Sequence, residues 1–138
     1  MPNIPIGPRQ WRNPRRANLE LLRRNAERRR REDEASRLLT EVPGLRTLHM
    51  EITESGQSEV TPVVHYIRRF GLTNAPAVFL VPCTDPLCDG GGHDLTSEVL
   101  AGLRSHYLRI EGKDTCQGLS RDLHCTRELR FAAIATFE

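Results

Sequence analysis

Aromatic residues are scarce in this chain: among 138 residues there are one tryptophan, two tyrosines and four phenylalanines. With a hydrophobic share of 38%, a core would be thin, and a domain of this size with a thin core gains from an internal cross-link. Long apolar runs are missing as well. No stretch approaches the roughly 18 residues of a membrane span, and no apolar signal region follows the start. These absences lead us to expect a soluble, cytoplasmic protein with no membrane partner. The patterns of several reaction classes are also lacking: no HExxH, no HxE paired with PCxxC, no phosphate-loop lysine and no GxGxxG. Metalloprotease, nucleobase deaminase, P-loop and dinucleotide chemistry are therefore disfavoured, and no small-molecule substrate is evident. No internal repeat is present, and the length suits one small domain plus a tail.

Charge is present in quantity but unevenly placed. Residues 1–31 hold ten arginines (Arg9, Arg12, Arg15, Arg16, Arg23, Arg24, Arg28, Arg29, Arg30 and Arg31) against Glu20 and Glu27, whereas the remainder holds ten basic and sixteen acidic residues. The net charge of +2 thus conceals a basic arm joined to an acidic body, a polarity that suits an anionic partner for the arm.

From Met1 to Pro14, four prolines and a glycine favour an extended segment. Trp11, flanked by Arg9 and Arg12, can stack on a base or anchor the arm to its own domain. Arg15 to Glu41 reads as a helix, with Asn13 and Pro14 as its start signal. Its apolar residues form two patches separated by RRRREDE, Arg28 to Glu34. Successive helical residues point about 100° apart, so four arginines make a collar and not a stripe. Glu20 with Arg24, Glu27 with Arg31 and Arg28 with Glu32 are candidate ion pairs one turn apart. The acids are too few to account for all the arginines; nucleic acid, RNA first, is the expected partner of the surplus, with an acidic protein surface as the alternative.

Pro43 and Gly44 end the helix. Leu48, Met50 and Ile52 then alternate with polar residues in a strand from Leu45 to Glu54. A second strand is expected at Val63 to Phe70, and Ala77 to Val81 reads as a buried central strand. Leu95, Val99, Leu103 and Tyr107 form one stripe on a helix capped by Asp94 or Thr96. A short strand at Leu108 to Gly112 and a longest, final strand at Thr126 to Phe137 complete the pattern.

Between these elements lie the four cysteines, spaced Cys83-x4-Cys88-x4-His93 and Cys116-x8-Cys125. In a reducing compartment such spacing favours metal ligation over disulfides. Zinc needs four ligands near tetrahedral directions, and two paired-cysteine loops supply them. Glycines follow two of the cysteines, Gly90 to Gly92 after Cys88 and Gly118 after Cys116, letting backbone N–H groups turn toward sulfur. Cys83, Cys88, Cys116 and Cys125 are the expected ligands, with His93 as the alternate to one of them. His124 is weaker, since on a strand it would face away from its neighbour Cys125.

The expected architecture is α+β. An Arg-rich N-terminal helix leads into a small mixed or antiparallel sheet with one covering helix and a zinc-bound cysteine cluster. The division is a basic arm and helix over 1–42 and a zinc-stabilised domain over 43–138. The expected function is a non-enzymatic zinc-containing binding module whose Arg23, Arg24, Arg28, Arg29, Arg30, Arg31 and Trp11 engage RNA or a nucleoprotein. The first rival is an accessory subunit that docks on a protein complex through its N-terminal helix. The second is a thiol or metal enzyme using Cys88 with His93, or Cys125 with His124, for which no third orienting group is evident.

Overall fold

The computed structural model describes residues 14–56, 63–85, 88–120 and 123–138, so Trp11 and the extended arm lie outside the described residues. The helix-forming run becomes α1, Pro14–Glu34, opened by a proline whose missing N–H would in any case lack an intrahelical partner. The single helix expected as far as Glu41 does not run through. At Ser36 the backbone leaves the helix and pairs with the segment around Pro76. Leu38 N–H donates to the Ala75 carbonyl and Ala77 N–H to the Ser36 carbonyl, both at 2.8 Å. A short helix, α2 (Leu38–Glu41), follows. The cause is tertiary, for the break turns Leu38 and Val42 into the core, and that burial outweighs the helical bonds given up.

The chain continues through β1 (Leu45–Ser55), β2 (Val64–Arg69), β3 (Leu80–Val81), β4 (Cys88–Asp89), β5 (His93–Asp94) and α3 (Thr96–Arg104). It closes with β6 (Arg109–Thr115), β7 (Leu119–Ser120), β8 (Leu123–His124) and β9 (Glu128–Phe137). The principal sheet is antiparallel throughout, in the order β2-β1-β9-β6. Alternation fixes its register. Leu48 pairs with Ala135, Met50 with Ala133 and Ile52 with Phe131, and all six side chains are buried. β1, at 11 residues, exceeds β9 at 10, so the final strand is not the longest. The α+β class, the antiparallel sheet and the cysteine cluster stand as expected.

Two further expectations are corrected. Ala77 to Val81 is buried, but only Leu80 and Val81 form a strand, and they pair with Asp94 and His93 in a separate ladder. The segment has no central place in the main sheet, where β1 and β9 pair with each other and are flanked by β2 and β6. It is tied instead to the start of α3: Phe79 N–H donates to Thr96 Oγ1 and Leu95 N–H to the Phe79 carbonyl, each at 2.9 Å. The stripe on α3 is also shorter than its spacing implies. Leu95, Val99 and Leu103 are buried, whereas Tyr107 is exposed. Ahead of Tyr107, His106 takes a φ of 57°. Tyr107 N–H then donates to the Gly102 carbonyl and His106 N–H to the Leu103 carbonyl, a Schellman ending that throws Tyr107 outward. His106 is held in this left-handed conformation by stacking on Phe137, with ring centroids 4.4 Å apart.

Helix α3 approaches β6 so closely that a Cβ on Gly102 would run into the Ile110 side chain. β9 lies between β1 and β6 and hydrogen-bonds to both. Removing Ile134–Glu138 strips one end of each ladder and takes Ala135 from the core. The truncated protein is expected to lose its cooperative melting transition, and an unchanged transition would contradict this placement of β9.

Candidate metal centre

Each cysteine stands at the end of an element or on a short strand next to one. Cys83 comes two residues after β3, Cys88 opens β4, Cys116 directly follows β6 and Cys125 directly follows β8. A small antiparallel sheet, β4-β7-β8, ties the second cysteine loop to the first by pairing Cys88 with Ser120 and Leu119 with His124. Two backbone bonds extend this frame: Cys116 N–H to the Arg127 carbonyl at 3.0 Å and Cys125 N–H to the Gly118 carbonyl at 2.9 Å. The result is a rigid lobe at one end of the principal sheet.

Within it the four sulfurs converge. Cys83 Sγ and Cys125 Sγ are 3.8 Å apart and Cys88 Sγ and Cys116 Sγ are 3.6 Å apart. All four are buried and lie within 4.8 Å of one another. A disulfide would require about 2.05 Å, and the cysteines are free thiols. The group is shaped to hold a metal ion. Backbone N–H groups approach the sulfurs as the glycine placement implied for Gly118 and Cys116, while the run after Cys88 serves a different sulfur. Gly118 donates to Cys116 Sγ at 3.4 Å and Asp85 to Cys83 Sγ at 3.4 Å. Gly92, in the run after Cys88, donates across to Cys116 at 3.3 Å. Gly91 is required for closeness alone: a Cβ there would collide with both the Cys88 and Cys116 sulfurs.

The thiols compete for negative charge. Hydrogen bonds from the Cys83 and Cys88 thiols, with the Gly118 and Gly92 N–H groups behind them, pull Cys116 far below the ordinary thiol value. The same bond to Cys116 pushes Cys83 up and raises Cys88 to about 12, while burial raises Cys125. Ionising all four therefore requires a cation among them.

His93 lies outside this cluster. Its buried ring places Nδ1 2.8 Å from an Asp114 carboxylate oxygen and Nε2 3.8 Å from Glu54 Oε1. His124, the weaker candidate, is exposed. The neighbours of His93 were missed by sequence reasoning. Glu54 is 0% exposed and Arg127 4%, and they meet as an ion pair at 3.4 Å. Thr84 joins them, its N–H donating to Glu54 Oε1 at 3.1 Å and its Oγ1 accepting from Arg127 at 2.8 Å. Burial alone would raise the Glu54 carboxyl, but His93 and the Thr84 N–H outweigh it and hold it below the ordinary value. For His93 burial opposes charge, yet the Glu54 and Asp114 carboxylates prevail and raise it. The set braces three ligand segments at once: Thr84 is next to Cys83, Asp114 two residues before Cys116 and Arg127 two residues after Cys125.

The arginines of α1 are less free than their number implies. Arg30 bridges Glu27 at 2.5 Å and Glu34 at 2.8 Å, Arg28 lies 3.9 Å from Glu32, and Arg31 reaches Asp94 at 2.9 Å. Arg31 thus pairs with the body and not with Glu27, and Glu32 faces Arg68 at 3.7 Å. Arg23 and Arg29 are exposed and Arg24 is half-buried. Among the described residues, Arg24 and Arg29 have no ion pair. No described helix is long and apolar enough to cross a membrane. Comparison with known proteins finds no matching family model, no matching curated protein and no matching solved structure.

Proposed function

We propose that this chain is a non-enzymatic binding module in which one zinc ion, held by Cys83, Cys88, Cys116 and Cys125, fixes the lobe beside which α1 presents arginines to RNA or a nucleoprotein. The observation that carries the metal half is the sulfur geometry. Zinc–thiolate bonds of about 2.3 Å at tetrahedral angles set sulfurs about 3.8 Å apart, against the 3.6 and 3.8 Å of the two close pairs. Four protein ligands leave no position for a substrate, so the ion's role is structural. The binding half is supported by chemistry and placement. Nineteen of the twenty basic residues are arginine, Lys113 being the exception, and arginine's planar fork suits phosphate oxygens. In Arg29 and Arg24 the helix offers guanidinium groups that pair with no carboxylate among the described residues.

Neutralising the collar as Arg28→Gln, Arg29→Gln, Arg30→Gln and Arg31→Gln together tests the reading. Affinity for single-stranded RNA is expected to fall, and the slope of log affinity against log salt to flatten by about 0.7 for each phosphate no longer neutralised. A complex whose affinity ignores salt would contradict it. One observation favours docking on a protein instead: Leu19, Leu21 and Leu22 on α1 are 59%, 48% and 62% exposed. Of the other leucines that such docking would use, Leu38 is buried in the core and Leu39 remains at the surface. On that reading Leu19→Ala with Leu22→Ala abolishes a nuclease-resistant complex that the arginine variant retains.

A further inference from the structure

Between α1 and the cysteine lobe lies a cleft of about 540 Å³, within the roughly 300–1,000 Å³ of ligand-sized pockets. One wall is the face of α1 carrying Arg24 and Arg28. The other is formed by Val81 to Cys83 and Gly90 to Asp94. Its two acidic residues are already engaged, Glu27 by Arg30 and Asp94 by Arg31. Its cations are not all so engaged. Among the described residues, Arg24 Nε is buried without a hydrogen-bond partner, and Arg28 has only the 3.9 Å approach to Glu32. A buried donor left without an acceptor is costly, and a charged one more so.

We infer that this cleft seats a phosphodiester group of single-stranded RNA, with Arg24 as its main contact and Arg28 beside it. An anionic oxygen at Arg24 supplies the acceptor that the fold withholds. On the wall opposite, the run Gly90 to Gly92 presents no side chains to obstruct a sugar–phosphate backbone. The inference rests on the binding-module reading and narrows it, from a diffuse collar to one seat on the lobe side of α1.

The test is fluorescence anisotropy of a labelled, mixed-sequence single-stranded oligoribonucleotide with full-length, metal-loaded protein. Arg24→Gln is compared with Lys113→Gln, which removes the same charge from an exposed position on β6. Metal content and thiol protection confirm that both variants are folded. Arg24→Gln is expected to bind about tenfold more weakly, and its salt slope to flatten by about 0.7. Lys113→Gln should change affinity less than twofold. If Arg24→Gln binds no more weakly than Lys113→Gln while the four-arginine variant loses affinity, the cleft is overturned and the module reading stands. If the wild-type protein binds no RNA at low salt, the module reading falls and the cleft loses its occupant with it.

Discussion

Gly91→Ala is expected to prevent stable metal loading, although it adds a single methyl group. The added Cβ would occupy the space of the Cys88 and Cys116 sulfurs. A sulfur that must also stay at bonding distance from an ion has nowhere to go. Structural zinc contributes about 10–16 kcal/mol to the folding of small metal-dependent domains, which exceeds or matches the whole net stability of about 5–15 kcal/mol of an ordinary domain. The variant should therefore purify with little metal and four reactive thiols, and its body should not melt cooperatively. Gly90→Ala separates crowding from backbone strain. At Gly90 a Cβ meets nothing within 4 Å, but φ is +65°, so that variant should load metal normally and lose only about 1–2 kcal/mol. Metal analysis and thiol titration of the two proteins decide between these outcomes. Equal metal content in both would contradict the sulfur geometry.

The second large effect is expected at the buried pair behind the cluster. Glu54→Gln leaves Arg127 and His93 facing a neutral group in an enclosed site, and breaking such a pair from one side costs about 3–5 kcal/mol. Arg127→Met should cost a similar amount by leaving the buried Glu54 with only His93 and the Thr84 N–H as described partners. The double variant Glu54→Gln with Arg127→Met removes both charges and should recover a substantial part of the loss, because two adjoining charges are not independent. Urea unfolding of the metal-loaded proteins measures all three. Single variants within about 1 kcal/mol of the wild type would show that the pair does not brace the ligand loops. The thiols of the single variants should also become reactive earlier, since Thr84 and Arg127 lie close to ligand cysteines in the chain.

The cysteine set was legible because metal ligation restricts which residue types can serve, and four cysteines near glycine turns satisfied that restriction. The strand faces were legible from alternation at Leu48, Met50 and Ile52. The same alternation carries a further signal. Glu54 continues the inward series of β1, and Arg127 has the same parity as Leu129 and Phe131. Opposite charges at inward positions on neighbouring strands are the mark of a buried pair. Other features had no local signal. The break at Ser36 depends on hydrogen bonds with Ala75 and Ala77, about forty residues away, in a run whose own preference is helical throughout. The end of α3 depends on His106 stacking on Phe137, a contact that periodicity within the helix cannot express. The pairing of the collar with the body had no local signal either, because Asp94 and Arg68, which meet Arg31 and Glu32, belong to segments remote in sequence.

Metal content of protein purified without added metal, with thiols counted before and after chelation, tests the central claim most directly. The expected result is about one zinc per chain, with all four thiols protected until a chelator removes the ion and the body then unfolding. Metal-free protein that melts cooperatively with four reactive thiols, or with two disulfides, would contradict it.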